Sequence, residues 1–237
     1  MKFCSTINSH CSLRRPRGSA FVIAIETMAL ATLLTSQSAV ATDKSWTGAS
    51  STIWATSSNW NPGAVPVAAD NALFSASFTS QPRLTASTTV GGLWIKTGVT
   101  KSAVISAGSP SYVLTLSGNT INGVAGRGIL ADNSSSYSLT VGCTTALANN
   151  QVWQNNSHNL LTVNGAVDLN AKTLTVSGAG KTFINGIVSS TGGTITKIGA
   201  GTLVLRGVNT YTGVTRVSGG TLLVNGAQAS ATGAVSV

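Results

Sequence analysis

An all-β fold, a right-handed parallel β-helix, is predicted by three observations. The first is composition. Of 237 residues 42% are hydrophobic, only 8% are charged, and 26 are glycine. Disorder needs low hydrophobicity and high charge, and ordinary globular proteins carry about 25% charged residues. What remains is rich in Thr, Ser, Val, Leu, Asn and Gly, the composition of short strands joined by turns. The second observation is a returning triplet: Leu114-Thr115-Leu116, Leu139-Thr140-Val141, Leu161-Thr162-Val163, Leu174-Thr175-Val176 and Leu203-Val204-Leu205. Its period of two sends both outer residues to one side of a strand and the middle one to the other. The third is the Gly and Asn between triplets, at Gly118-Asn119, Asn122-Gly123, Asn164-Gly165, Gly178, Asn185-Gly186, Gly192-Gly193 and Asn225-Gly226. These residues supply the positive-φ corners that tight turns need.

Residues 1–41 read as an export signal. Arg14-Arg15-Pro16-Arg17 gives a basic start, residues 20–34 an apolar run, and Ala39-Val40-Ala41 a small-x-small site, with cleavage after Ala41. Arg14-Arg15 raises a twin-arginine route, and Gly18 followed by SAFVIAIE a prepilin leader; the flanking residues fit both poorly. The run falls short of the ~20 residues of a membrane span and contains Glu26.

The next segment, residues 42–89, reads as a Trp-rich N-terminal cap. Its landmarks are Trp46, Trp54, Trp60, Pro62, Pro66, Asp70 and Phe74, with a turn cluster at Asn59-Trp60-Asn61-Pro62-Gly63. Three tryptophans so close together also suit a sugar-stacking platform. The cap is preferred because a solenoid needs an atypical end to cover its core. A W-x-G…W…NW…P…D…F opening of this kind resembles those that precede strand repeats in secreted repeat proteins.

Residues 90–237 read as the solenoid. The triplets recur at uneven intervals of about 13 to 29 residues, which suits coils with variable corners. The alternative is a β-sandwich, because Asn-Gly between alternating strands is also a hairpin signal. A sandwich of hairpins usually exposes more charge than the Thr, Ser and Val present here. At ~20–30 residues per coil, the chain beyond Ala41 holds about six to nine coils.

The most specific stretch is residues 196–226. It runs through Lys197, Gly199, Gly201, Thr202, Leu203 and Leu205, bends through Gly207, Asn209, Thr210, Tyr211 and Gly213, and restarts at Gly220, Thr221 and Leu222. Gly199 and Gly201 allow a tight turn before a strand, Asn209 can cap a bend, and Tyr211 can pack over the corner. The stretch resembles the passenger-associated β-strand repeat of Gram-negative autotransporters, a family of secreted β-solenoids. It departs from that pattern at Val214, where a second glycine is common. The resemblance implies a secreted or surface-displayed passenger of a Gram-negative bacterium, at the cell surface or outer membrane. It also implies that the repeat supports export and folding, with the export machinery as partner. No C-terminal run of amphipathic strands resembles an outer-membrane barrel. Residues 233–237 read like the start of another strand, so a barrel or surface anchor is expected from outside this chain.

The other chemistry is sparse. Lys2, Arg14, Arg15, Arg17 and Glu26 lie in the leader, so the net charge of +9 falls to +6 beyond it. The remaining basic residues, Lys44 to Arg216, are scattered singly, which argues against nucleic acid. Cys4 and Cys11 belong to the leader and leave Cys143 unpaired, a buried filler and no zinc site. Beyond the leader the carboxylates are Asp43, Asp70, Asp132 and Asp168. A glycosidase needs two within ~5–10 Å, and only stacked coils could join Asp132 to Asp168. His158 stands alone. No catalytic residue, metal site or cofactor is expected. Thr115, Thr140, Thr162 and Thr175 share a triplet position, and in register they would form an outward file able to bind ice or carbohydrate. The sequence thus predicts an exported, non-enzymatic structural or adhesive surface segment, with surface polysaccharide or self-association as possible contacts.

Overall fold

The computed structural model describes residues 42–132, 136–228 and 233–237; the leader at 1–41 lies outside them. The described chain is a parallel β-solenoid of about seven turns. Its strands assemble into three sheets of eleven, seven and five strands; the middle coils visit the three in rotation, while the coils from Thr202–Leu205 onward add no strand to the five-stranded sheet. One coil runs from Leu161–Val163 on the seven-stranded sheet to Val167–Asp168 on the five-stranded sheet. It continues to Thr173–Ser177 on the eleven-stranded sheet, and the next coil begins at Lys181–Ile184. Every ladder is parallel except two, Asp43–Trp46 with Trp60–Asn61 and Asn119–Ile121 with Val124–Ala131. The β-sandwich alternative therefore falls.

Register explains the uneven triplets. They stand on different faces of the coil: Leu114 and Leu116 on the five-stranded sheet, Leu139, Leu161 and Leu203 on the seven-stranded sheet, Leu174 on the eleven-stranded sheet. Within one face the repeat is close to regular. The side-chain bonds Thr173 to Thr194, Asn185 to Asn164 and Val188 N–H to Asn209 each link residues 21 apart. Upstream the offset is larger: Ser138 N–H reaches Ser102 Oγ across 36 residues. That coil carries an extra hairpin, Asn119–Ile121 against Val124–Ala131. Asn122 and Gly123 at its tip have φ of 50° and 73°, the paired positive values of a tight hairpin turn.

The core follows from alternation. Leu203, Leu205, Leu161, Val163, Leu139, Val141 and Ile195 are fully buried inside the coils. A second, smaller apolar cluster of Leu73, Trp94, Ile121 and Leu130 joins the hairpin to strands of the eleven-stranded sheet. The hairpin is pinned there by Asn71 Nδ2 donating to Thr120 O at 2.9 Å.

The parallel ladder starts inside the Trp-rich segment. Asp43–Trp46 pairs with Asn71–Phe74, which pairs with Gly92–Ile95. Trp60–Asn61 is the outermost strand of the sheet and runs antiparallel, so it ends the ladder on that side. Trp46, Trp54 and Trp60 are 1–2% exposed. Their rings lie 4.7–6.3 Å apart, one pair stacked and two edge-to-face. Buried rings cannot stack on a sugar, so the platform alternative is corrected. Asn59 holds the preceding loop: its Oδ1 accepts from Ser50 and Ser51 N–H at 2.8 and 3.0 Å, and its Nδ2 donates to Ile53 O at 2.9 Å. Among the described residues no helix is long and apolar enough to cross a membrane.

Candidate functional site

The repeat residues meet at the corners of the last coils. Lys197 is the inward residue closing the strand Thr194–Lys197. Its register neighbours are Val176 on the coil before and Val217 on the coil after. A lysine thus occupies a position that neighbouring coils fill with valine, and it is 1% exposed. Its Nζ donates to Ile198 O at 2.7 Å, Gly199 O at 2.9 Å and Gly219 O at 3.3 Å. All three donors are used, and the last bond crosses to the next coil. Burial pulls the ammonium below its ordinary value of 10.5.

Asn209 works in both directions. Its Oδ1 accepts from Val188 N–H at 2.8 Å on the coil before, and its own N–H donates to Ala227 O at 2.9 Å on the coil after. Thr210 N–H reaches Val188 O at 2.8 Å. Tyr211 is buried, with its hydroxyl 2.6 Å from Thr215 Oγ1. Burial pushes the phenol up. Thr202 N–H donates to Gly180 O and Thr221 N–H to Gly201 O. Leu203 and Leu205 face the core, with Leu222 half-buried in register below Leu203. The glycines mark close backbone contact. At Gly201, Gly207 and Gly213 an added Cβ would strike the backbone of Gly180, Gly186 and Gly193, one coil earlier. Gly199 and Gly220 also require φ of 71° and 70°.

Replacing Lys197 separates its stem from its charge. Lys197→Ala is expected to cost about 2–3 kcal/mol, from a cavity plus the lost charged hydrogen bonds. Lys197→Met is expected to cost about 1–2 kcal/mol, because the stem still packs and no charge is buried. The pH dependence has a definite sign. Between the lowered folded value and 10.5 the unfolded chain binds more protons, so stability rises with pH. Relative to Lys197→Met, the wild type should gain stability through that window in urea unfolding. A difference independent of pH would show that Lys197 titrates as if exposed.

This geometry belongs to the stretch that matches a known family model. Residues 195–224 match the passenger-associated-transport-repeat. No curated protein and no solved structure matches the chain. The match and the stacked parallel coils fit an autotransporter passenger repeat protein. The repeat implies a secreted or surface-displayed protein, and its family is not an enzyme family.

The remaining candidates stand apart from the repeat. Asp168 Oδ1 accepts from Asn170 N–H at 2.8 Å, and Asp43 Oδ1 accepts from Asn71 Nδ2 at 3.0 Å. Asp70 bonds Thr42 Oγ1 and Val67 N–H. Asp132 follows a strand of the eleven-stranded sheet while Asp168 ends a strand of the five-stranded sheet, so stacking does not pair them. Among the described residues no three of His, Cys, Asp and Glu converge. Cys143 is buried, and burial pushes its thiol up to about 11, so at neutral pH it is not a thiolate nucleophile.

The threonine file is corrected. Thr115 lies on the five-stranded sheet, Thr140 and Thr162 are paired on the seven-stranded sheet, and Thr175 lies on the eleven-stranded sheet. Thr162 is followed in register by Phe183. Sequence reasoning missed the real block, Thr173 and Thr175 over Thr194 and Thr196. The signal was a Thr-x-Thr recurring after 21 residues. Val152 on one side and Arg216 on the other limit it to two rungs, too short for an extended ice-binding face.

Proposed function

We propose that the chain is a non-enzymatic, exported passenger segment whose solenoid forms a structural or adhesive surface. Its repeat supports passenger export and the completion of folding. The observation that carries this reading is the use made of the repeat's polar residues. Lys197 sends one of its three hydrogen bonds to the coil after it, and Asn209 accepts from the coil before through Oδ1 and donates to the coil after through its backbone N–H. A unit that bonds both neighbours propagates order from coil to coil, as one-dimensional repeat proteins do. An outer-membrane barrel or surface anchor and the export machinery are the partners of this reading, and the outer face of a Gram-negative cell is its place of action.

The test is display. The chain is fused ahead of an outer-membrane barrel in a Gram-negative host, with and without residues 195–224. External protease should reach the intact passenger. Deletion should lower the surface-exposed fraction several-fold and leave protease-sensitive chain in the periplasm. Equal display of both forms would overturn the export role of the repeat.

A further inference from the structure

The outer face of the seven-stranded sheet carries cations and no carboxylate. One column of residues that alternation turns away from the core runs Thr140, Thr162, Phe183, Val204 and Leu223 in register, with Val204 itself covered at 1% exposure. Beside it runs Asn164, Asn185, Arg206 and Asn225, whose N–H groups donate to Val141, Val163, Ile184 and Leu205. Arg206 stands where its neighbours place asparagine. Asn185 Nδ2 donates to Asn164 Oδ1 at 2.7 Å, but Asn185 Oδ1 is buried and unpartnered. The guanidinium of Arg206 lies instead 4.3 Å from the ring centroid of Phe183, with Lys181 Nζ 5.5 Å from the same ring. Both cations are exposed, and Phe183 is half-buried. The four described aspartates lie elsewhere: Asp43, Asp70 and Asp132 within or beside strands of the eleven-stranded sheet, Asp168 on the five-stranded sheet.

We propose that this face binds an acidic polysaccharide, with Lys181 and Arg206 engaging its carboxylate or sulfate groups. The Phe183 ring pre-orients both cations by cation–π attraction, which reduces the ordering cost of binding. Arg206 presents a planar fork suited to carboxylate or sulfate oxygens. Thr162, Thr202 and Asn164 beside them offer hydroxyl and amide groups to sugar hydroxyls. A polymer is favoured by length. Arg83, exposed and in register with Ser106, continues the Arg206 column at the other end of the sheet. Five ladder steps separate the two arginines, ~24 Å at ~4.8 Å per step. One extended chain can reach both. The proposal rests on the reading that this surface is displayed outside the cell. Binding in solution is measured separately from display, so either can fail alone.

The probe is heparin, titrated against the full chain at several salt concentrations. Lys181→Gln/Arg206→Gln is compared with Lys96→Gln/Arg216→Gln, which removes the same charges from the eleven-stranded sheet. The face variant is expected to bind about tenfold more weakly near physiological salt, with the slope of log affinity against log salt reduced by about two. The control pair should change affinity less than threefold. On the wild type, bound heparin should protect Lys181 from acetylation more than Lys96, a readout that needs no variant to fold. Equal losses in the two pairs, or equal protection of the two lysines, would reduce the effect to net charge and overturn the proposal. Equal affinity for neutral dextran, or for duplex DNA of matched length, would overturn the ligand class.

Discussion

Trp46→Ala is expected to lower stability by about 3–5 kcal/mol, as for other large buried aromatics cut to alanine. Trp46 is 1% exposed and packs within 6.3 Å of Trp54 and 5.0 Å of Trp60. Three terms add. The substitution removes a large buried apolar surface. It opens a void that rigid strand backbones cannot close. It also removes the partner of Ser80 O, which accepts from Trp46 Nε1 at 2.7 Å. Trp46→Phe keeps most of the packing and loses the hydrogen bond, so it should fall between alanine and wild type. Urea unfolding followed by tryptophan fluorescence measures both. A loss below about 1 kcal/mol for alanine would mean the cluster is not part of the cooperative core.

Gly207→Val is expected to cost about 3 kcal/mol or more, at the upper end of overpacking effects. A Cβ at Gly207 would meet Gly186 C at 2.7 Å and Ile187 Cα at 2.8 Å. Those are backbone atoms of the coil before, so no rotamer change can make room. The same corner is glycine in four successive coils, Gly165, Gly186, Gly207 and Gly226, each seated against the coil before it. Relief requires parting the two coils, which breaks the ladder that carries Arg206 N–H to Ile184 O. Coils contact only their neighbours, so the damage should be local. Limited proteolysis should cut the variant after residue 207 while upstream coils stay protected. Gly63→Ala is the control, because nothing lies within 4 Å of an added Cβ there. An unchanged digestion pattern for Gly207→Val would mean that the corner yields and the coils are not tightly seated.

These effects bear on how much was legible beforehand. The inward residues were readable because alternation is local: Leu203, Leu205, Leu161 and Val163 could face only one side of a strand. The repeat was readable because its glycines are demanded by close approach between coils. The face to which each triplet belongs was not readable. Thr115, Thr140 and Thr175 look equivalent in sequence yet stand on three sheets, because corner lengths between them set the rotation around the coil. Lys197 was legible as a residue of the motif, but its place in the coil was not. Nothing within its own strand reveals that two carbonyls of the corner just after it and Gly219 O on the next coil converge on its Nζ.

The Asn-Gly pairs make the division clearest. Asn122-Gly123 turns a hairpin, whereas Asn164-Gly165 and Asn185-Gly186 turn parallel coils. The dipeptide specifies a bend, and what lies beyond the bend selects the partner strand. The sequence by itself determined that the chain forms short strands with one apolar side and turns at glycine and asparagine. Those properties depend on neighbours a few residues away. Only the tertiary structure decided which strands stack, that the tryptophans are buried, that a lysine holds two coils together and that Arg206 lies on Phe183. Each of those depends on contacts beyond a single strand, most of them between coils, set by the length of every corner between them.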